Sequence, residues 1–554
     1  MCLERAARQS VIFARSPRYT DLISLECPWP TDGVTVMVHR NQSFELVERV
    51  LKPFLAFAGV NADVTYSAYD DSLSVDSDGS ADLEIVWVDF NRYTNGASQL
   101  AHWLTQRMVT LRSRSSAPIL VCDWPSNADD AKTFNETLRI SAGAMPGLYV
   151  CEQSEIARSL GVSYFDPRSR AIAGNSLSRE ATVLTAQAMG LQWIPAALGV
   201  RIKAVVLDLD NTLYNGVLSE DGVDGIEVTD EHRELQLDLI ELGRRGVFLG
   251  VASRNDPGDV SQLLEEGGPL EIHERDLAAT IATWDDKAEG ILALAERLRI
   301  HPDSMLLIDD NAGELAQAAS ETGVHCLHAT DPAATRQCLR LFPGLFRFHI
   351  GGEDSERVHD IQASAIRAAE LADASDEVAY RRALGARLRF RMNPHDLVER
   401  LQELSTKTNQ FNTALHRFTA AEAAQYLDRR ERRVATVALA DRLSDSGVVA
   451  AIFARRDSAV LHIDEIAISC RALGRQLEGT MILECVRRIL LELPSSSVTV
   501  DWRRGPRNGP ALDWLAACSG PLVGDGGSVV IESASTAPDD VVIQWDGNAD
   551  AGHG

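Results

Sequence analysis

The sequence predicts an α/β protein of three domains, and two patterns in the chain support this prediction. Apolar runs of strand length alternate with helical stretches through residues 1–195 and again through 196–350, which is typical of parallel sheets covered by helices. The last third changes to consecutive apolar strands followed by one amphipathic helix, which indicates a mixed α+β domain. A chain of 554 residues is also too long for a single hydrophobic core.

Composition and charge narrow the class of partner. The chain has 54 Lys and Arg against 80 Asp and Glu, a net charge of −26, which disfavours nucleic acid and anionic membranes. A small anionic substrate remains possible, because a bound cation can reverse the local charge. The nine cysteines include no CxxC pair, no apolar run is long enough to span a membrane, and the opening residues lack a secretory pattern. We therefore expect a cytoplasmic protein.

The first domain, residues 1–195, is predicted from short apolar runs and one clear amphipathic helix at Phe44–Ala58. Strands are expected at Val34–Val38, Ala62–Tyr66, Leu83–Phe90 and Pro118–Cys122. The last two are apolar almost throughout, which is typical of strands buried on both faces of a parallel sheet.

The central domain, residues 196–350, repeats the alternation and is predicted to be a doubly wound parallel sheet. Its strands are expected at Lys203–Asp208, Phe248–Ala252, Met305–Ile308 and Val324–Leu327. Glu231–Gly246 is predicted as a helix, since its leucines share one face and a glycine stands at its end.

The remaining chain is predicted to be a helical linker, 351–385, followed by a third domain, 386–545. Antiparallel strands are expected at Val434–Leu439, Gly447–Ala454 and Ala459–Ser469. The helix that follows carries Leu477, Met481, Cys485 and Ile489 on one stripe.

The clearest chemical signal is Asp208-Leu-Asp210, placed directly after an apolar strand. Ligand sites in doubly wound sheets lie beyond the carboxyl ends of the strands. Two carboxylates there can share a Mg²⁺ ion, which prefers oxygen ligands and leaves room for a phosphate. Asp208 can then attack phosphorus as a nucleophile, and Asp210 can protonate the leaving oxygen.

Acidic residues at strand ends are often only loop formers, but three further positions favour a site. Ser253 follows the next strand, where its hydroxyl can bind phosphate. Lys287 opens a helix and can neutralise phosphoryl charge. Asp309 follows the strand Met305–Ile308 and offers another metal carboxylate.

The order Asp-x-Asp-x-Thr, Ser, Lys, Asp-Asp resembles that of the haloacid-dehalogenase (HAD) superfamily of phosphatases. The longer string Asp208–Gly222 is similar to one branch, the FkbH-like proteins of polyketide assembly lines, although that branch usually has Trp-Gly-Gly at 214–216 and this chain has Tyr-Asn-Gly. The resemblance implies Mg²⁺ at Asp208, Asp210 and Asp309, with Asp210 contributing its backbone, and phosphate binding by Thr212, Ser253, Arg254 and Asn255.

Three strings of the third domain also resemble this branch: Lys407–Asn412, Asp441–Gly447 and Ser469–Arg475. The resemblance, which spans roughly Ile202–Leu515, implies an acyltransferase domain similar to the GNAT fold. Arg471, Gly474 and Gly479 would give a turn at a helix N-terminus that suits phosphate. The residues implied to bind the acyl group and pantetheine arm are Asn409, Gln410, Asn412, Arg471, Gly474 and Arg475.

Cys470 is the candidate acyl-accepting thiol. It lies at a predicted strand end beside Arg471 and Arg475, and positive neighbours and a helix N-terminus favour the thiolate. The alternative is a buried structural cysteine, which is our interpretation of Cys338 and Cys485.

The resemblance implies a reaction in which a three-carbon acyl phosphate, typically 1,3-bisphosphoglycerate, loads an acyl carrier protein and loses its second phosphate. Two alternatives remain: a stand-alone phosphatase of a small metabolite, and a non-enzymatic scaffold. The first domain is similar to SGNH-type hydrolase folds but lacks Gly-Asp-Ser and Asp-x-x-His, with Asp166-Pro-Arg168 near the latter position. We therefore expect it to be non-catalytic, with Asn91–Tyr93 as a cap.

Overall fold

Two compact units, 1–351 and 352–554, make up the chain. The computed structural model describes residues 2–25, 33–126, 128–169, 174–349, 377–408, 410–531 and 541–546, with 360, 361, 363, 364, 366, 367, 370 and 371. The first unit contains the first two predicted domains, and the second contains the predicted linker and third domain. Most of the linker, and Asn409, lie outside the described residues.

The first sheet of the first unit has five parallel strands in the order β2-β1-β3-β4-β5. These are β1 Gly33–Arg40, β2 Asn61–Tyr69, β3 Leu83–Trp87, β4 Ile119–Cys122 and β5 Leu148–Cys151. The helices are α1 Cys2–Ile12, α2 Tyr19–Ile23, α3 Glu45–Phe57, α4 Ala97–Arg112, α5 Asp129–Gly143, α6 Gln153–Leu160, α7 Arg179–Ala188 and α8 Ile194–Ala197, with shorter helical turns at Phe90–Arg92, Gly161–Tyr164 and Met189–Trp193. Strands β3 and β4 are buried along their whole length, as their apolar sequences predict.

The strand predicted at Leu83–Phe90 is too long. It ends at Trp87, because the Asp89 side chain accepts a hydrogen bond from the Asn91 backbone N–H and starts a short 3₁₀ turn at Phe90. Asn91 and Arg92 thus belong to a capped turn, and Arg92 forms an ion pair with Asp71.

The second sheet also has five parallel strands, in the order β10-β9-β6-β7-β8. These are β6 Ala204–Leu207, β7 Phe248–Ser253, β8 Ala279–Ala282, β9 Met305–Asp309 and β10 His325–His328. The helices are α9 Leu218–Asp221, α10 Asp230–Arg244, α11 Pro257–Leu263, α12 Lys287–Leu298, α13 Ala312–Thr322 and α14 Pro332–Leu341, with 3₁₀ turns at Glu274–Asp276 and Pro302–Ser304. The chain order reverses between β6 and β9, which is where doubly wound sheets bind ligands.

The second unit is built on a mixed sheet of seven strands, in the order β16-β15-β14-β13-β12-β11-β17. These are β11 Arg387–Met392, β12 Arg432–Ala440, β13 Asp445–Asp457, β14 Val460–Ile468, β15 Ser497–Arg503, β16 Gly526–Ile531 and β17 Val542–Trp545. The helices are α15 Glu377–Leu384, α16 Val398–Lys407, α17 Ala420–Leu427, α18 Glu478–Glu492 and α19 Gly509–Ser519, with a 3₁₀ turn at His395–Leu397. Among the described helices, none combines the length and apolar character that crossing a bilayer requires.

Strands β14 and β15 run parallel but pair only over their first halves, from Val460 to Ile463 and from Ser497 to Val500. Beyond that point the segment Phe411–Thr413 lies between them. The Ile468 N–H donates to the Phe411 carbonyl at 2.9 Å, and the Arg503 N–H donates to the Thr413 carbonyl at 2.9 Å. The gap in the sheet is therefore filled by the chain's own backbone.

The contact between Arg5 of α1 and His325 of β10 predicts a pH dependence of stability. The Arg5 Nη1 lies 3.2 Å from His325 Nδ1, and a guanidinium can only donate, so this nitrogen must be unprotonated. Burial, and then the Arg5 charge, lower the pKa of His325 from 6.5 to about 4. Between these values the unfolded chain binds more protons than the folded one, so stability is lost as pH falls through this window.

We expect the free energy of unfolding of the first unit to decrease by up to about 1.4 kcal/mol per pH unit from 6.5 down to 4. Urea unfolding followed by tryptophan fluorescence at about pH 7, 6 and 5 measures this slope. The His325→Gln variant cannot titrate and should show a smaller slope. Identical slopes in the two proteins would refute the assignment.

Candidate active site

Three carboxylates meet at the carboxyl edge of the second sheet. Asp208 follows β6 and Asp309 ends β9, and these two strands are neighbours in the sheet. Oxygen atoms of Asp208, Asp309 and Asp310 all lie within 4.8 Å of one another. The Asp208 and Asp309 side chains are buried, so these two carboxylates have little contact with water.

Lys287, the first residue of α12, holds this cluster together. Its buried ammonium contacts Asp208, and lies 2.8 Å from Asp309 Oδ2 and 3.3 Å from Glu314 Oε2. One ammonium therefore faces more carboxylates than it can neutralise. The excess negative charge and the close oxygen atoms fit a divalent cation such as Mg²⁺, for which Asp208, Asp309 and Asp310 would be the ligands.

The protonation behaviour of the cluster reflects first its burial and then its excess of negative charge. Burial raises the pKa of Asp208 to about 7; the Lys287 charge opposes this shift, and the Asp309 carboxylate adds to it. Burial and Asp309 also raise the pKa of Asp310. A cation at these oxygen atoms would favour the ionised forms.

The Asp210 carboxylate is held by the loop that follows it. Its Oδ1 accepts hydrogen bonds from the Tyr214 hydroxyl at 2.6 Å and the Leu218 N–H at 2.9 Å. Its Oδ2 accepts from Asn255 Nδ2 at 2.8 Å. These bonds fix the Asp210 side chain two residues beyond Asp208, a position that suits proton transfer. The sequence predicts a different role for the Asp210 backbone, which is to bind the metal ion.

Of the four predicted phosphate-binding residues, Thr212, Ser253 and Asn255 are buried and Arg254 is exposed. Ser253, at the end of β7, accepts a hydrogen bond from Asn255 Nδ2 at 3.0 Å. The Thr212 Oγ1 and the Asn255 Oδ1 are buried and have no hydrogen-bond partner among the described residues. Since buried polar atoms are nearly always satisfied, these two atoms indicate a missing ligand or water. Arg254 is exposed, and its Nη1 lies 3.4 Å from Glu314 Oε1.

Asp310, Glu314 and Tyr214 belong to the site, although the sequence pattern assigned them no role. From the Asp309-Asp310 pair, the sequence predicts only the side chain of Asp309 as a metal ligand. Glu314 reaches Lys287 from the first turn of α13, and Tyr214 reaches back to Asp210. Both contacts depend on side-chain direction, which a local sequence pattern does not reveal.

The three strings singled out in the third domain converge at one end of the mixed sheet. Phe411 and Thr413 pair with the end of β14, immediately before Cys470. Arg475 Nη1 donates to Asp441 Oδ2 at 3.0 Å, which joins the second and third strings. Cys470 itself is partly exposed in the turn after β14.

Several predicted acyl-binding groups are engaged within the chain. The Gly474 N–H donates to Glu478 Oε1 at 2.9 Å, and Arg475 Nη2 donates to Asp360 Oδ1 at 3.1 Å. Arg471 is buried. The buried Asn412 donates to the Thr408 carbonyl at 2.8 Å, whereas Gln410 is exposed. In this arrangement the predicted phosphate turn already has carboxylate partners.

Two of the other thiols are buried in helices, as expected. Burial raises the pKa of Cys338 to about 12 and raises that of Cys485 as well.

Asp360, which belongs to the predicted linker, is buried and also accepts hydrogen bonds from Ser444 at 2.6 Å and Ser446 at 2.8 Å. This part of the linker therefore packs as an integral piece of the second unit.

No protein-family model and no curated protein matches the chain. Among solved structures, it is similar to the N-terminal part of a Bacteroides fragilis protein that contains a phosphatase domain complexed with Mg. The identity is 20%, covering 61% of this chain and 99% of that chain, with a TM-score of 0.49.

Two acetyltransferase structures are also similar to the chain. One is a ribosomal-protein-alanine N-acetyltransferase from Brucella melitensis biovar Abortus 2308, with 14% identity over 22% of this chain and 82% of that chain and a TM-score of 0.18. The other is the PaiA N-acetyltransferase from Thermoplasma acidophilum in complex with coenzyme A, with 9% identity over 26% of this chain and 96% of that chain and a TM-score of 0.21.

The charge balance around Lys287 predicts how its removal affects stability. Lys287→Met leaves Asp208 and Asp309 buried without their ammonium partner, which should cost about 3–5 kcal/mol. Mg²⁺ should recover part of this loss, because it binds the same oxygen atoms. Thermal unfolding of both proteins with Mg²⁺ and with EDTA measures the effect. The matched control is Glu289→Gln, which removes an exposed charge from the same helix. Equal melting temperatures for wild type and Lys287→Met would contradict the prediction.

Proposed function

We propose that the chain is a magnesium-dependent enzyme that removes a phosphoryl group through Asp208. The carrying observation is the buried cluster of Asp208, Asp309 and Asp310 around Lys287, at the carboxyl ends of neighbouring parallel strands. The unpartnered Thr212 Oγ1, on the same loop as Asp208, supplies a donor for a phosphoryl oxygen.

In this mechanism Asp208 attacks phosphorus, and the bond from phosphorus to the leaving oxygen breaks as Asp210 delivers a proton to that oxygen. Asp210 then takes a proton from a water molecule, which attacks the aspartyl-phosphate and releases inorganic phosphate. Lys287 stabilises the negative charge of the transferring group. Bound Mg²⁺ would supply further charge neutralisation at Asp208, Asp309 and Asp310.

We further propose that the phosphatase serves a loading reaction, in which a three-carbon acyl unit passes from an acyl phosphate to an acyl carrier protein. We propose glyceryl as the acyl group and 1,3-bisphosphoglycerate as its donor, with lactyl or another three-carbon unit as the alternative. The Cys470 thiolate would attack the acyl carbon, and the bond from that carbon to the phosphate oxygen would break. The carrier's phosphopantetheine thiol would then displace Cys470 from the thioester. Support comes from the sequence resemblance and from the convergence of its three strings beside Cys470.

The alternative is a stand-alone phosphatase of a small metabolite. It is favoured by one observation: all residues of the Asp208 cluster lie in the first unit, whereas Arg475 and Gly474 in the second unit are bonded to carboxylates of the chain itself. The two proposals differ in whether an acyl group reaches a carrier protein.

Replacing the nucleophile tests the phosphatase. Asp208→Asn is nearly isosteric but cannot form an aspartyl-phosphate, so phosphate release should fall by at least about a thousandfold, on the order of the loss seen when a catalytic nucleophile is removed. Phosphate release from a phosphate ester with Mg²⁺ is the measurement, and circular dichroism shows whether the fold is kept. Asp259→Asn, an exposed aspartate of α11, is the matched control. A folded Asp208→Asn protein that still releases phosphate would rule out the assigned nucleophile.

Intact-protein mass spectrometry tests the loading reaction. The enzyme, Mg²⁺, enzymatically generated 1,3-bisphosphoglycerate and a panel of holo carrier proteins are mixed, with Cys470→Ala in parallel and Cys518→Ala as control for thiol loss. We expect a glyceryl adduct on a carrier protein with wild type and Cys518→Ala, and none with Cys470→Ala. An adduct that survives in Cys470→Ala keeps the loading function but moves acyl transfer elsewhere. Phosphate release without any adduct favours the stand-alone phosphatase.

A further inference from the structure

The end of β15 and the loop after it display unpaired positive charge, on Arg503, the last residue of the strand, and on Arg504. Arg503 and Arg504 are exposed, and neither guanidinium forms an ion pair with any residue that the structure describes. Arg504 lies over the Trp502 ring, 5.8 Å from its centroid. Several other arginines of this unit, though not all, have carboxylate partners within 3 Å; examples are Arg433 with Glu492, Arg455 with Asp464 and Arg456 with Glu431.

The backbone of this loop is fixed by a buried side chain. Asn508 Nδ2 donates to the Arg503 carbonyl at 2.9 Å and to the Asn412 carbonyl at 3.0 Å, and its Oδ1 accepts from the Gly505 N–H at 2.8 Å. Asn508 is fully buried. A backbone held in this way fixes the positions at which both arginine side chains leave the chain, so that less backbone entropy is lost when a partner binds.

The loop lies at the same end of the sheet as Cys470. Strands β14 and β15 are parallel neighbours, so the turn after β14, which contains Cys470, and the loop after β15 leave the sheet at one edge. The segment at Thr413 bonds to both strands there. Arg503 and Arg504 therefore lie at the same end of the sheet as Cys470.

The local charge differs from that of the whole chain. The third domain, residues 386–545, contains 20 Lys and Arg against 20 Asp and Glu and is neutral, whereas the full chain has 54 against 80. Exposed charges on a rim contribute mainly to association rate and partner choice, while a single bound phosphate is usually enclosed by its ligands. Nucleic acid is disfavoured by the net charge of −26, which would repel a polyanion.

We propose that the segment Trp502–Asn508, which is the end of β15 and the loop after it, is the docking surface for an acidic protein domain, whose thiol-bearing arm it directs towards Cys470. This inference rests on the proposed loading function, for which it names the surface that receives the carrier. Arg503 and Arg504 attract the acidic surface over a distance, and the fixed backbone sets the orientation in which the arm arrives.

The test compares two double charge reversals with the same change in net charge. Arg503→Glu with Arg504→Glu alters the docking loop. Arg429→Glu with Arg430→Glu is the matched control, because these residues are also exposed, form no ion pair among the described residues, and precede β12 at the opposite end of the sheet. Circular dichroism confirms that both proteins fold. Association of the full-length chain with immobilised acidic holo acyl carrier proteins is measured by biolayer interferometry at low and high salt.

We expect the first variant to lose on the order of tenfold or more in association rate at low salt, together with most of its salt dependence, and the control to stay within about twofold of wild type. Binding of coenzyme A, a small molecule with the same arm, should be equal in all three proteins. Equal losses in both variants, no loss in either, or no binding of any carrier by wild type overturns the proposal.

Loss of coenzyme A binding in the first variant would instead assign the arginines to the arm phosphate, and arginine-dependent binding of a DNA oligonucleotide would assign them to nucleic acid. Docking without a glyceryl adduct would refute loading and leave the docking surface in place.

Discussion

The ammonium of Lys287 allows carboxylates of three elements to lie together inside the first unit. Burying Asp208 and Asp309 without a counter-charge would cost several kcal/mol per ion, and would push both side chains towards their neutral forms. Lys287 can reach them because α12 begins directly at the edge where β6 and β9 end. The carboxylate cluster therefore depends on three features together: the parallel pairing of β6 and β9, the start of α12 beside their ends, and the charge of Lys287.

The second unit uses a buried charge of opposite sign to close the gap in its sheet. Glu465 of β14 accepts backbone N–H bonds from Thr413 at 2.7 Å and His416 at 2.7 Å, and so orders the segment between β14 and β15. Burial raises the pKa of Glu465 to about 7, and the amide donors oppose that shift. Without this carboxylate, several buried backbone donors would lose their partner, and the segment beside Cys470 would lose its fixed position.

The sequence predicts elements and sites well where the information is local. The buried strands are continuous apolar runs, and Asp208, Ser253, Lys287 and Asp309 each adjoin a strand end or a helix start. Strand β8 was missed because Ala279-Thr-Ile-Ala282 is short and weakly apolar, and only its place beside β7 makes it a strand. The contacts of Asp360 with Arg475 and of Asn508 with Asn412 join residues far apart in the chain, so no local pattern could indicate them.

The two candidate sites suit different leaving groups, so that each would carry out a different step of the proposed reaction. A phosphate ester leaves as an alkoxide and needs a proton, and Asp210 is held beside Asp208 by Tyr214 and Asn255 in a position to provide it. An acyl phosphate loses its phosphate as a stable anion and needs a nucleophile more than an acid. Cys470, partly exposed in the turn after β14, offers a thiol for that step. In the proposed reaction the ester phosphate would therefore be removed at Asp208 and the acyl group transferred at Cys470, in either order.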